Sequence, residues 1–339
     1  MPRRALTENV GALGDCVVGN LECAFSDDEV SSGKAYTSVL TNDCLQNVGT
    51  GGFAALSVAN NHVNDASDFD GTLERLTNRH PGIQFFGTVD SPYAIFDLGL
   101  TGRVIVIGCL EPCRSRGGRL FRQEDVESLI RKLRMDAGMS SVYIFVYPHW
   151  GMEGEYTRYP SPKQRALARR WIDAGADGVV GSHSHVPQGH EFYKGKPIYY
   201  SLGNFDFDHP ESKLYAGTAD QMIVEFDGFN NGAMVTKERF SSADAQAAVE
   251  MASAELVDWT TWRWARMVGP FNLRKNMASW KLRLCRNPLK TLPKFLVWQF
   301  LPQVLLFRLA SCFPPERMQI VAIGGIASVK RIVNDVADS

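Results

Sequence analysis

Four apolar, β-rich runs in this chain each end in a cluster of metal-binding or acid–base side chains. DCVVGN runs into Asn20-Leu21-Glu22, and AALSVA into Asn60-Asn61-His62. VYIFVYP runs into His149-Trp150-Gly151, and DGVVGS into His183-Ser184-His185. Side chains at the C-terminal ends of strands in an α/β sheet open onto the crevice where ligands usually sit. Four such clusters in one chain therefore constrain the fold. The strands must run so that their polar ends meet.

The intervening segments support an α/β body. Helical patterns fall at Asp70–Arg79, Gln123–Ala137 and Pro162–Ala174, between strand-like runs that include 103–108, 142–147 and 178–181. Ser161 followed by Pro162 predicts an N-cap and a proline in the first helical turn. Three later runs, at 190–193, 198–201 and 221–226, are separated by turn residues only. They are expected to pair antiparallel on one side of the sheet.

The chemistry follows from residue type. His183 and His185 are two apart, and in an extended segment both would face the same side. Imidazole suits Zn, Mn, Fe or Ni, and oxygens from Asn20, Glu22 and Asn61 complete a site of that kind. Two such ions would clamp a phosphoryl group and activate a bridging water. His62, beside Asn61, is placed to protonate a leaving oxygen. Asp65 and Asp68 are candidates to orient His62 or to cap the next helix. Glu153 and Glu155 are candidates to orient a histidine from the loop after His149. A single histidine after a strand is ordinary; the joint pattern of four clusters is what points to a metal centre.

Other templates fail. There is no G-x-S-x-G nucleophile elbow. The glycine-rich stretch at 49–52 lacks the lysine of a phosphate-binding loop. The seven cysteines form no CxxC pair and no disulfide framework. The N-terminus has no apolar core like that of a secretion signal, and the longest apolar stretch, 295–307, is too short to span a bilayer.

Net charge is −1, from 36 basic and 37 acidic residues, which excludes a uniformly basic nucleic-acid binder. The average hides a split. Residues 259–315 hold ten basic and no acidic side chains, leaving 26 basic against 37 acidic elsewhere. The same stretch carries Trp259, Trp262, Trp264, Trp280 and Trp298. It is expected to be a basic helical region. It would face an anionic membrane surface, pack on the acidic body, or bind an anionic polymer. The division expected is a body over 1–240 and a basic region over 241–339.

The clustered segments resemble the bacterial capsule-synthesis CapA family, the poly-γ-glutamate biosynthesis proteins, which is itself similar to the calcineurin-like metallophosphoesterases. The resemblance rests on DCVVGNLECAFSD, on LSVANNHVNDASDFDGTLERL, and on the long stretch from YPHWGMEGEY to IYYSLGNFDF. It implies a layered sandwich of mixed β-sheets flanked by helices, with divalent metals (two ions, of Mn, Fe or Zn) at the strand ends. It implies metal ligation by Asn20, Glu22, Asn61, His149, His183 and His185, with His62 as proton donor. Asn20 stands where the wider superfamily has a bridging aspartate, so Glu22 is expected to supply the charge. Independently of the resemblance, Asp65 is expected to orient His62 and Glu153 a histidine of the site.

The resemblance also implies an upstream strand ending in Gly-Asp. Only 19 residues precede Asn20, and none reads as that strand. The expectation is a start codon assigned too late, or else the loss of part of a metal site. Its absence would leave a neighbouring strand with an unpaired edge. The function implied is capsule or exopolymer synthesis through phosphoester hydrolysis, acting on an anionic polymer or a phosphorylated intermediate, with no specific nucleic acid. The alternative is a non-catalytic polymer-binding or assembly component with a degenerate metal site.

Overall fold

The computed structural model describes residues 16–25, 39–40, 52–65, 69–99, 102–111, 119–138, 141–152, 155–205, 217–227, 234–259 and 264. The described residues begin with β1 (Val17–Asn20), the short parallel pair β2 (Ala24–Phe25) and β3 (Val39–Leu40), then β4 (Phe53–Ser57), helix α1 (Phe69–Arg79) and β5 (Gln84–Phe86). Strands β1, β4 and β5 form a parallel sheet in that order, so β1 is an edge of it among the described residues.

The chain continues through β6 (Tyr93–Asp97), β7 (Arg103–Leu110), α2 (Val126–Ala137), β8 (Val142–His149), α3 (Pro162–Ala174), β9 (Gly178–Val180), β10 (His190–Tyr193) and β11 (Lys196–Tyr199). These strands build a six-stranded sheet of order β10-β11-β9-β8-β7-β6. Its four inner strands are parallel, and β6 and β10 run antiparallel at the edges. The ribbon β12 (Met222–Asp227) with β13 (Val235–Phe240) and helix α4 (Ala243–Glu255) follow.

Side-chain alternation dictates the layering. On β7 and β8, Ile105, Ile107, Cys109, Ile144 and Val146 point to one face and pack with Val126 and Ile130 of α2 and Ala168 and Trp171 of α3. Val106 and Phe145 point the other way, onto Ala55 and Phe86 of the small sheet. The outer face of the small sheet is covered where Leu56 meets Leu76 of α1. The result is helix, sheet, sheet, helix. Both faces of the inner strands are covered, which is why those strands read as continuous apolar runs. Within the larger core Trp150 stacks on Trp171 at 5.3 Å, both fully buried. Truncating either to alanine would cost about 3–5 kcal/mol.

The expected helix over 162–174 forms within its predicted bounds. Ser161 and Gln164 make a reciprocal capping box, proline stands in the first turn, and Gly175 closes the helix at φ 118°. The expected helix from 123 begins with a 3₁₀ turn, Gln123–Asp125, before α2. The expected pairing of 190–193 with the next strand forms as the β10–β11 hairpin. The third of those runs differs: β12 pairs with β13 as a separate ribbon, joined to the body by the bridge between Gly203 and Gln221 and by the Tyr199 hydroxyl donating to Glu238 at 2.7 Å. Helix α4 docks on the body through Val249, packed with Tyr199 and Met222, and through Ser253, which receives the His190 amide at 2.9 Å.

Most of 259–315 lies outside the described residues. Its Trp259 stacks on Tyr159 at 5.5 Å, and Trp264 is 1% exposed. No helix among the described residues is long and apolar enough to cross a membrane.

Candidate metal centre

The four clusters meet because β1, β4, β8 and β9 are parallel within their sheets and the two sheets pack face to face. Asn20 is the last residue of β1 and His149 the last of β8. Asn60–His62 follows β4, and His183–His185 follows β9.

The expected reason for convergence of His183 and His185 was an extended backbone, and it does not hold. Both residues have positive φ, 98° and 59°. Their rings, 6.0 Å apart, converge through a left-handed turn. Non-glycine residues in that region cost about 1–3 kcal/mol each and concentrate at functional sites. The turn is held from behind. A Cβ on Gly181 would collide with the Tyr200 carbonyl and the Trp150 indole nitrogen, so only glycine lets the chain pass there.

Around the centre, Asn20 Nδ2 donates to Glu22 Oε2 at 3.2 Å and lies 3.4 Å from His149 Nδ1. His149 Nε2 is 2.6 Å from Asn61 Oδ1 and 3.5 Å from Glu22 Oε1. Glu22 Oε1 is also 3.9 Å from His183 Nδ1 and 3.9 Å from His185 Nε2. All six expected ligand residues thus lie in one hydrogen-bonded or near-contact group. They divide in a way the sequence did not reveal. Asn20, Asn61 and His149 are bonded to one another or to neighbours. Glu22, His183 and His185 each place a ligand atom within 4.8 Å of the others. Glu22 Oε1 and both ring nitrogens of His183 are buried without a hydrogen-bond partner.

Buried polar atoms are nearly always partnered. Glu22 Oε1, with His183 Nδ1 and His185 Nε2 each 3.9 Å from it, offers ligand atoms that fit a divalent cation. Two imidazoles and one carboxylate are a donor set that Zn, Fe and Mn accept. Burial pushes His149 and His185 below the ordinary imidazole range, so their lone pairs are available at neutral pH. Burial acts to raise the Glu22 carboxyl, but the surrounding imidazoles outweigh it and hold the group well below the usual carboxylate range.

His62 stands at the rim with its side chain 21% exposed, and its Nδ1 is 2.7 Å from the fully buried Asp65 carboxylate. Glu153 and Asp68 lie outside the described residues. Glu155 lies 3.8 Å from His185 Nε2.

Two side chains outside the expected ligand set shape the site. Asn60 donates to the Leu21 carbonyl at 2.8 Å and accepts from the His62 and Val63 amides, clamping the β4 loop to the β1 loop. An asparagine bonding backbone two and three residues on is a turn signal that its position after β4 offers. Glu111, 7% exposed, accepts from the Gly151 amide at 2.6 Å and from Lys163 Nζ at 2.8 Å, fixing the loop after His149.

Residues 4–209 match the family model described as bacterial capsule synthesis protein PGA_cap. The chain is 29% identical over 238 residues to the capsule biosynthesis protein CapA of Bacillus anthracis, covering 65% of this chain and 56% of that protein. It is 44% identical over 89 residues to the PGA biosynthesis protein CapA of Bacillus subtilis, covering 26% of this chain and 22% of that one. The chain therefore spans about half or less of the length of these curated relatives. Among solved structures, a novel phosphatase of Mycoplasma pneumoniae aligns at 11% identity and a TM-score of 0.43, over 69% of this chain and 86% of that one. With more than half of its length matched by the family model, this chain belongs to the bacterial capsule synthesis protein PGA_cap family.

Proposed function

We propose that this chain serves capsule or exopolymer synthesis, of the poly-γ-glutamate type, as a metal-dependent phosphoester hydrolase. The observation that carries the proposal is the convergence of ligand atoms from Glu22, His183 and His185 within 4.8 Å of one another, beside the His62–Asp65 pair. Glu22 and the two histidines would hold one divalent ion. Asn20, Asn61 and His149 are the residues for a second, once the bond between Asn61 and His149 opens. Such ions supply Lewis-acid polarisation and a nucleophilic water at neutral pH. Asp65 fixes the His62 ring through Nδ1, which leaves Nε2 to carry a proton to the departing oxygen. Partial exposure of His62 gives substrate access to that nitrogen.

The substrate class is a phosphorylated intermediate or an anionic polymer. The basic stretch 259–315 has the charge to meet that polymer or an anionic membrane surface. The test is a screen of the Mn-, Zn- or Fe-loaded chain on aryl phosphodiesters and monoesters. Hydrolysis that depends on metal and is lost in His62→Ala supports the enzyme. A metal-loaded chain inert on all of them contradicts it.

A second reading is a non-catalytic polymer-binding or assembly component. It is favoured by Asn20, a neutral amide engaged by Glu22, His149 and Asn60 rather than a bridging carboxylate. Co-sedimentation with poly-γ-glutamate in the absence of metal would support it.

A further inference from the structure

We infer that Asn204 is a positioning residue that sets the tautomer of His185 and so aims its Nε2 lone pair at Glu22. The inference rests on His185 being a metal ligand, as proposed above. Asn204 clamps His185 at two places. Its Nδ2 donates to the His185 carbonyl at 3.0 Å and to the Thr218 carbonyl at 3.0 Å. Its Oδ1 lies 2.9 Å from His185 Nδ1.

The orientation of the carboxamide is fixed by these partners. Two carbonyls can only accept, so the group facing them is the amide nitrogen. The oxygen must then face Nδ1, and because an amide oxygen only accepts, Nδ1 carries the proton. In a neutral imidazole the lone pair is left on Nε2. That nitrogen faces Glu22 Oε1 at 3.9 Å and Glu155 Oε1 at 3.8 Å. A lone pair turned toward two carboxylate oxygens is repulsive by itself, and a cation among them turns the repulsion into attraction. Tyr156 stacks on the same ring at 5.3 Å and keeps it in that plane.

The clamp is itself rigid. Gly203, at φ 77°, bridges to Gln221 and has Pro187 and the Asp220 carbonyl where a Cβ would lie. Gln221 Nε2 bonds the Phe205 carbonyl, and the Arg158–Asp220 pair braces the loop that carries Thr218. The bond to the His185 carbonyl also supports that residue's left-handed backbone. Partners of this kind fix the ring of a metal-binding histidine, and losing one typically weakens metal affinity or activity 10–100-fold.

The test reads the tautomer directly. Long-range ¹H–¹⁵N correlation spectra of the chelator-treated protein at pH 7.5 are expected to show His185 protonated at Nδ1. Zn and Mn affinity is measured alongside by competition with a chromophoric chelator. Asn204→Leu is expected to weaken binding about 10–100-fold and to release the tautomer. Asn204→Asp keeps an acceptor at Nδ1 and is expected to preserve the tautomer. Wild-type His185 protonated at Nε2, or Asn204→Leu binding metal as tightly as wild type, overturns the inference. Should Asn204→Leu fail to fold, the wild-type spectrum still decides. A wild-type chain that binds no metal counts against the metal site itself. That failure is distinguishable, because the tautomer is read on metal-free protein.

Discussion

Replacing Glu191 with glutamine should remove a pH-dependent part of the fold's stability. Glu191 sits on β10 with its side chain 11% exposed. Arg165 reaches it through Nε at 3.0 Å and a terminal nitrogen at 2.7 Å. Arg169 does so at 3.2 and 2.7 Å, and the Tyr200 hydroxyl donates at 2.6 Å. Burial acts to raise the carboxyl, but these donors outweigh it and hold the group at about 2, against an ordinary 4.5. At about 1.36 kcal/mol per pH unit, that depression is worth about 3 kcal/mol. The folded value is the lower one, so the contribution is complete above 4.5. It declines as pH falls toward 2 and is gone below it. Urea unfolding at pH 7 should show Glu191→Gln less stable by about 3 kcal/mol, an upper figure because the amide keeps one acceptor. The gap should narrow steadily from pH 4.5 to pH 2.5. A gap that is absent at pH 7, or independent of pH, would refute the reasoning.

Three further outcomes are expected. His149 and His185 resist protonation in the folded state, so the unfolded chain binds more protons below about 6.5. The melting temperature of metal-free protein should therefore rise between pH 5.5 and 7.5, and rise less in His149→Gln/His185→Gln, as followed by circular dichroism. His62→Ala should lower kcat about 10²–10⁴-fold with metal content unchanged, whereas parallel loss of metal would move His62 from proton donor to ligand. Gly181→Ala places a methyl against the Tyr200 carbonyl and the Trp150 indole. It should cost about 1–3 kcal/mol in denaturant melts and weaken metal binding as the His183–His185 turn shifts.

The site was legible where chemistry sits at the end of an apolar run. His149, His183, His185, Glu22 and Asn61 could be placed together because parallel strands bring their ends to one edge. Which ligand atoms bond one another was not legible, because it depends on contacts as distant in sequence as that of His149 with Asn61. Nor was the left-handed turn at His183 and His185, since neither residue is a glycine. Asn60 and Asn204 act through backbone partners 39 and 19 residues away, which carboxamides do not announce.

In the fold, α3 was legible from its cap and proline. Helix α4 was missed because its buried face uses Ala245, Val249 and Ala252, too small to mark an apolar stripe. β5 is only three residues long, too short for a period. β6 does alternate, with Ala94 and Phe96 buried and Ile95 and Asp97 exposed, and that signal was there to be used. For the region after 259, composition left membrane contact, packing on the body and polymer binding open; at Trp259 the structure shows packing, against Tyr159 and the main core.

The central claim is that Glu22, His183 and His185 hold a divalent cation. Metal content by inductively coupled plasma mass spectrometry tests it most directly, on the chain loaded with Mn, Zn and Fe and then desalted. The account predicts at least one ion per chain in the wild type and none in His183→Ala/His185→Ala that remains folded by circular dichroism. A folded wild-type chain that retains no metal, or a double variant that retains as much as wild type, would contradict it.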